Sequence, residues 1–269
     1  DVIQEFDGLH KFIGWNKVIL TDSGGFQGWS IPNRFNDDGI EFKNIYDGSK
    51  FFMDPKLSMD IQQTLNSDIA MILDSLIDIN KEYDEQLNAI NTTQQWANIA
   101  RNYHTNNNQS LFGIVQGGKH KELREKSATD MMTIDFDGYA IGGLAIGETP
   151  EERKEIVNFT VEMLPKDKLR YVMGLGDIEG MLELIELGVD IFDCVWPARL
   201  ARHGKIINKG KFLNLKNSKY KKDTDPLVVG CRCFVCLNFS KAYLRHLLTN
   251  EPTSAWFYLT LHNIIQTEN

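Results

Sequence analysis

Residues 111–143, LFGIVQGGKHKELREKSATDMMTIDFDGYAIGG, carry one complete strand–helix–strand passage. Leu111 to Val115 is a short apolar run that stops at Gln116-Gly117-Gly118. Lys119 to about Met132 reads as a helix, and Gly138 to Ile141 is a second apolar run ending at Gly142-Gly143. Two apolar strands joined through a helix are the unit from which a parallel sheet is built.

The pattern repeats outward in both directions. Toward the N-terminus, Ile69 to Leu73 is a buried-strand candidate ending at Asp74, and a helix over about Asp84 to Tyr103 follows it. Val18-Ile19-Leu20 reads as a strand ending at Thr21-Asp22-Ser23-Gly24-Gly25. Between these, Ile40 to Met53 alternates apolar and polar residues around Asp47-Gly48, the signature of a β-hairpin, and Pro55 opens a helix that runs to about Asn66. Toward the C-terminus, Thr149 caps the helix that Pro150 begins, with Glu152 in the capping-box position. Strand Leu169 to Val172 then ends at Met173-Gly174, helix Ile178 to Leu187 stops at Gly188, and strand Val189 to Phe192 ends at Asp193.

Six strands, each closed by glycine or a polar residue and most of them separated by helices, predict an α/β fold. No G-x-G-x-x-G turn follows the first strand, which counts against a doubly wound dinucleotide-binding sheet. The prediction is a (β/α)8 TIM-type barrel with about six repeats in this chain, short of the eight that closure takes. A barrel opens all its strand C-termini on one mouth, so Asp22, Asp74, Gln116, Gly143 and Asp193 are expected to converge. Residues 1–198 form this incomplete barrel in the expected division, and 199–269 form a basic segment, a metal-binding subdomain and a C-terminal helical part.

Composition fits a globular chain: of 269 residues, 42% are hydrophobic and 10% aromatic, with 7 prolines and no low-complexity tract. No apolar run approaches the roughly 18 residues that span a bilayer, and the opening residues have no signal-peptide pattern, so a cytoplasmic protein with no membrane role is expected. The net charge of −8 is unevenly spread. Arg199, Arg202, Lys205, Lys209, Lys211, Lys216, Lys219, Lys221 and Lys222 fall in one stretch without an Asp or Glu, and the rest of the chain sits at −17. Such a block holds phosphates locally because screening confines charge effects to about 10 Å; the plainer reading is a solvated basic loop.

Two constellations carry chemistry. Cys231-x-Cys233-x-x-Cys236 places three thiols within six residues, and a structural zinc needs a fourth ligand. Candidates are His246 and His262 downstream and Cys194 upstream, and spacing leaves the choice open. Asp22 and Asp193 are paired carboxylates suited to glycosyl transfer, one attacking or stabilising an oxocarbenium-like centre while the other moves a proton. Asp74 and Gln116 have the donor and acceptor capacity to read a purine-like edge. The Gly142-Gly143 backbone admits a flat ligand, with Phe26 or Met173 stacking on its face. Taken singly each has a plainer role, as a turn cap or a strand-end carboxylate.

Together the motifs resemble a known family. Thr21-Asp22-Ser23-Gly24-Gly25-Phe26-Gln27, Phe112 to Gly118, Ile141 to Glu148, Tyr171 to Gly174 and Phe192-Asp193-Cys194-Val195 are similar to those of tRNA-guanine transglycosylases, the queuine tRNA-ribosyltransferase family. The cysteine run followed by His262-Asn263 is similar to their zinc subdomain, and the resemblance runs nearly end to end. It implies a pentosyltransferase of queuosine biosynthesis that replaces guanine at the wobble position of certain tRNA anticodons by a 7-deazaguanine. By resemblance Asp193 is the nucleophile that forms a covalent ribose intermediate, and Asp22 the general acid/base. Asp74, Gln116, Gly143 and the backbone of Leu144 read the base, while Phe26 and Met173 sandwich it. Cys231, Cys233, Cys236 and His262 match the ligands of one structural zinc. The block beginning at Arg199, with Arg202 and Lys205, occupies the stretch that holds the anticodon loop, and a homodimer is expected.

The family barrel carries further residues upstream, so the resemblance implies a chain lacking the N-terminal part, and its tail after His262 is shorter. Leu76 stands where bacterial members have Cys and eukaryotic ones a smaller aliphatic residue. Bulk at Ile146 favours 7-aminomethyl-7-deazaguanine over queuine. Competing readings are an inactive fragment, a non-catalytic zinc- and tRNA-binding accessory subunit, and a glycoside hydrolase; the last leaves the basic block and cysteine run without a role.

Overall fold

A computed structural model describes residues 2–31, 33–44, 47–144 and 147–268. Two short helices, α1 (Val2–Glu5) and α2 (Leu9–Ile13), precede β1 (Leu20–Thr21) and α3 (Gly25–Ser30). An antiparallel meander follows, made of β2 (Asn33–Asn36), β3 (Gly39–Lys43) and β4 (Lys50–Met53). Helices and strands then alternate: α4 (Pro55–Leu65), β5 (Ile69–Met71), α5 (Tyr83–Tyr103), β6 (Ser110–Val115), α6 (Lys121–Ile134) and β7 (Gly138–Ile141). After these come α7 (Pro150–Met163), β8 (Leu169–Val172), α8 (Ile178–Glu186) and β9 (Ile191–Phe192).

Six strands form one all-parallel sheet in the order β1-β5-β6-β7-β8-β9. The order decides the architecture. Right-handed crossovers that always step the same way leave their helices on one face, whereas a doubly wound sheet reverses direction and covers both. Helix α4 packs on α5, α5 on α6 and α6 on α7, as a single layer must. The wall is of TIM-barrel type with six strands among the described residues. Its central strands are buried on both sides, which is why β5 and β7 are buried at every residue and the sequence shows apolar runs rather than alternation there. Met71, Leu111, Ile114, Tyr139, Ile141 and Val172 meet Ala97, Ala100, Met131 and Val157 of the helices in one core.

Local signals decide most boundaries. Asp54 caps α4 by accepting from the Leu57 amide, Pro55 fills its first turn, and Asn66 closes it in the left-handed conformation. Thr149 and Glu152 form the full capping box of α7. The expected hairpin is β3–β4, with Lys43 opposite Lys50; Ile45 and Tyr46 at its tip lie outside the described residues. Three strands are shorter than the sequence predicts, β5 among them, which ends at Met71 rather than Leu73. β1 starts at Leu20 because Val18 is 68% exposed and its pairing covers only Ile69 and Ala70, and β9 is limited to Ile191–Phe192. Strand β2 carries the polar run Asn33-Arg34-Phe35-Asn36, which gave no strand signal; it exists because β3 offers a pairing edge and Asn36 Oδ1 accepts from the amides of Asp38 and Gly39 in the turn. The meander rests on the fully buried Trp96, whose Nε1–H donates to the Asp37 carbonyl at 2.8 Å.

The chain divides into two compact units. The first comprises residues 1–175 and 183–192, the second 176–182 and 193–269. In the second, α9 (Trp196–Arg202) leads to a hairpin of β10 (Lys205–Asn208) and β11 (Lys211–Asn214), a 3-10 turn over Ser218–Lys222, and then α10 (Phe234–Asn238), α11 (Lys241–Asn250) and α12 (Pro252–Glu268). Ile206, Leu215, Leu227, Val235, Leu244, Ala255 and Leu259 belong to its own core. Asn263 ties three elements together. Its Oδ1 accepts from the Ile207 amide at 2.9 Å, and its Nδ2 donates to the carbonyls of Pro197 and Lys205, each at 3.1 Å. Among the described residues no helix is long and apolar enough to cross a membrane.

Candidate active site and metal centre

Three strand ends of the first unit supply the predicted base-reading groups. Asp74 follows β5 and Gln116 follows β6, and Gln116 Nε2–H donates to Asp74 Oδ2 with both side chains buried. Burial, and after it the negative charge of Asp22, pushes the Asp74 carboxyl up to about 7, while the bond from Gln116 pulls it down. Asp22, one residue past β1, is itself exposed. Gly25 makes the close approach possible, since a Cβ there would stand 2.7 Å from Asp74 Oδ1. At the end of β7, Gly143 holds a φ of +68°, and a Cβ on it would meet Gln116 Oε1 at 2.5 Å. Only glycine leaves this floor bare. Leu144 is buried, Met173 after β8 is half-buried, and Phe26 on α3 is 50% exposed. Leu76 is half-buried, and Ile146 lies outside the described residues. Asp193 directly follows β9, is exposed, and belongs to the second unit.

One residue behind this floor went unpredicted. Arg124 of α6 is 1% exposed, and its Nε–H and Nη1–H groups donate to the carbonyls of Gly118, Val115 and Gly142. Beside it, the buried Ser127 hydroxyl accepts from the Gln116 amide at 3.0 Å. Arg124 shares a helix face with Ser127, Ala128 and Met131, all buried, a spacing that turns it toward the core without telling which groups it bonds there.

The second unit assembles the cysteines with one histidine. Donor atoms of Cys231, Cys233, Cys236 and His262 all lie within 4.8 Å of one another. Nδ1 of His262 stands 3.4 Å from both Cys233 Sγ and Cys236 Sγ, close to the roughly 3.5 Å that a tetrahedral zinc with about 2.3 Å bonds to sulfur and about 2.0 Å to nitrogen requires. The other ring nitrogen, Nε2, is 3.0 Å from the Ile207 carbonyl, which fixes the proton there and turns the Nδ1 lone pair toward the sulfurs. Burial also lowers the His262 pKa, favouring the neutral ring a metal needs. Burial and the neighbouring sulfurs push the Cys236 thiol up to about 12, so a cation is what makes thiolates stable at this place. The residues fit a metal ion. Of the alternatives left open by spacing, His246 is exposed beside Asn250, and Cys194 donates to the Gly176 carbonyl instead.

All nine basic residues from Arg199 to Lys222 are exposed, and among the described residues none makes an ion pair. They are not one loop. Arg199 and Arg202 end α9, Lys205 opens β10, Lys209 turns the hairpin with a φ of +48°, and Lys219, Lys221 and Lys222 sit on the 3-10 turn.

A family model described as queuine tRNA-ribosyltransferase matches residues 1–269. The chain belongs to the queuine tRNA-ribosyltransferase family. That name denotes a pentosyltransferase, so this is a family of enzymes. Proteins of the same name share 43% identity over 269 residues in Dictyoglomus turgidum, 42% over 267 in Bacillus subtilis and 45% over 265 in Thermotoga maritima. In each case 98% of this chain is covered, against 69%, 70% and 72% of the relative.

Proposed function

We propose that this queuine tRNA-ribosyltransferase family member exchanges guanine at the wobble position of a tRNA anticodon for a 7-deazaguanine through a covalent ribose intermediate. The observation that carries the reading is the buried Asp74–Gln116 pair beside the bare Gly143 floor. Guanine presents N1–H and a 2-amino group to a carboxylate such as Asp74, and O6 to the second amide hydrogen of Gln116 and the backbone N–H groups of Gly143 and Leu144. Phe26 and Met173 cover the ring faces.

The Asp193 carboxylate attacks the anomeric carbon as the bond to guanine N9 breaks, and Asp22 delivers the proton that lets guanine leave neutral. The incoming base then returns its N9 proton to Asp22 while N9 attacks the same carbon, releasing Asp193. One glycosidic bond is broken and one formed, so the strand stays whole without ATP. The nine exposed cations hold anticodon-loop phosphates, which an acidic protein achieves locally. Zinc is the metal proposed for the Cys3His group, with a structural role because four protein ligands leave no open position. A cytoplasmic homodimer and 7-aminomethyl-7-deazaguanine as the incoming base complete the proposal.

Labelled-guanine exchange into unmodified tRNA with a wobble guanine tests it. Incorporation by the wild-type protein that disappears in Asp193→Asn, with metal content unchanged, is the expected result. Folded, metal-loaded wild type that incorporates nothing would make this chain an accessory subunit or an inactive form. Competition between queuine and the aminomethyl base in the same assay decides the substrate.

A further inference from the structure

The strand ends that hold Gln116 and Gly143 share one buried support. Arg124 Nη1 lies 3.1 Å from the Val115 carbonyl and 3.0 Å from the Gly142 carbonyl, and Nε lies 3.0 Å from that of Gly118. These carbonyls flank Gln116 on both sides and immediately precede Gly143. A single guanidinium therefore sets the spacing between the end of β6 and the end of β7. A planar fork with fixed donor angles does this better than any flexible side chain.

The third guanidinium nitrogen is unspent. Nη2 is buried and has no hydrogen-bond partner among the described residues. It stands 3.6 Å from where a Gly143 Cβ would be, and Gln116 Oε1 stands 2.5 Å from the same point. An orphaned buried N–H of a charged group is costly, so an apolar residue would serve packing alone better. Burial lowers the Arg124 pKa only to about 10, leaving it charged at neutral pH. Cost without a packing reason, next to the base-reading residues, points to the site rather than to the core.

We infer that Arg124 is a positioning residue of the base pocket, holding the Val115–Gly118 and Gly142–Gly143 edges at the separation that lets Gln116 and the Gly143 backbone grip one heterocycle. The inference rests on the base-reading role proposed for those two residues. It predicts that Arg124 acts on base affinity and leaves tRNA affinity alone, since the exposed cations lie in the other compact unit.

Arg124→Met and Arg124→Lys in the metal-loaded protein test it, with guanine affinity by equilibrium dialysis and tRNA affinity by filter binding. The Met form, which keeps the bulk and removes every donor, is expected to weaken guanine by about tenfold, the Lys form by less, and tRNA by no more than about twofold in either. Variants that melt earlier yet bind guanine like wild type in their folded state would reduce Arg124 to a core residue and overturn the inference. Should the Met form not fold, the Lys form, which keeps the charge but not the fork, decides between the same two outcomes. Wild type that fails to bind guanine at all would instead overturn the base-reading role, a result separable from any effect of Arg124.

Discussion

Asp74 carries a strongly perturbed carboxyl, raised to about 7 by burial and then by the charge of Asp22. An unfolded aspartate titrates near 3.9, so between about 4 and 7 the folded chain keeps a proton that the unfolded chain has lost. The stability this gives is complete below the unfolded value and is lost as the pH rises through the folded one. Urea midpoints of wild type should therefore fall across that window relative to Asp74→Asn, and parallel curves would remove the assignment. Guanine binding should move oppositely. Its N1–H and 2-amino group need an ionised acceptor, so affinity should tighten as the pH passes about 7 and lose that dependence in the Asn variant. Asp74 and Gln116 were legible because each ends an apolar strand. Arg124 was not, because a lone arginine in a helix gives no sign of which carbonyls it will reach.

Elements with end signals were read most closely. Helix α7 is set by a cap that satisfies two otherwise orphaned amides, and Thr149→Ala should cost about 1 kcal/mol and lower the melting temperature by a few degrees without changing guanine affinity. A change in affinity instead would mean the cap shapes the Gly143 segment. Helix α4, with Asp54 before it and Asn66 after it, was equally plain. Strand β2 was not, since Asn33-Arg34-Phe35-Asn36 pairs only because β3 and the Trp96 anchor exist. The hairpin β10–β11 was hidden for a related reason. Its lysines read as a solvated block, while the contacts that fix it come from Asn263 and His262, more than fifty positions away.

For the molecule as a whole, the metal group and the basic face make separate predictions. His262 and Asn263 both engage Ile207, so a chelator should release amide protection in β10 and α12 while β5 to β8 keep theirs. Uniform loss over both compact units would mean that the metal supports the entire fold. Removing Arg202 should weaken tRNA binding and reduce the slope of log affinity against log salt by about 0.7–0.9, the share of one phosphate contact. An unchanged slope would take that residue off the RNA. Sequence alone determined the β/α alternation, the helix caps, the strand-end residues and three of the four metal-site donors, because each is written in residues close together along the chain. Only the tertiary structure decided the one-directional strand order, the packing that seats His262 against the cysteine sulfurs, the raised pKa of Asp74 and the grip of Arg124. Each of these depends on which distant groups share a low-dielectric interior, and that is a property of packing.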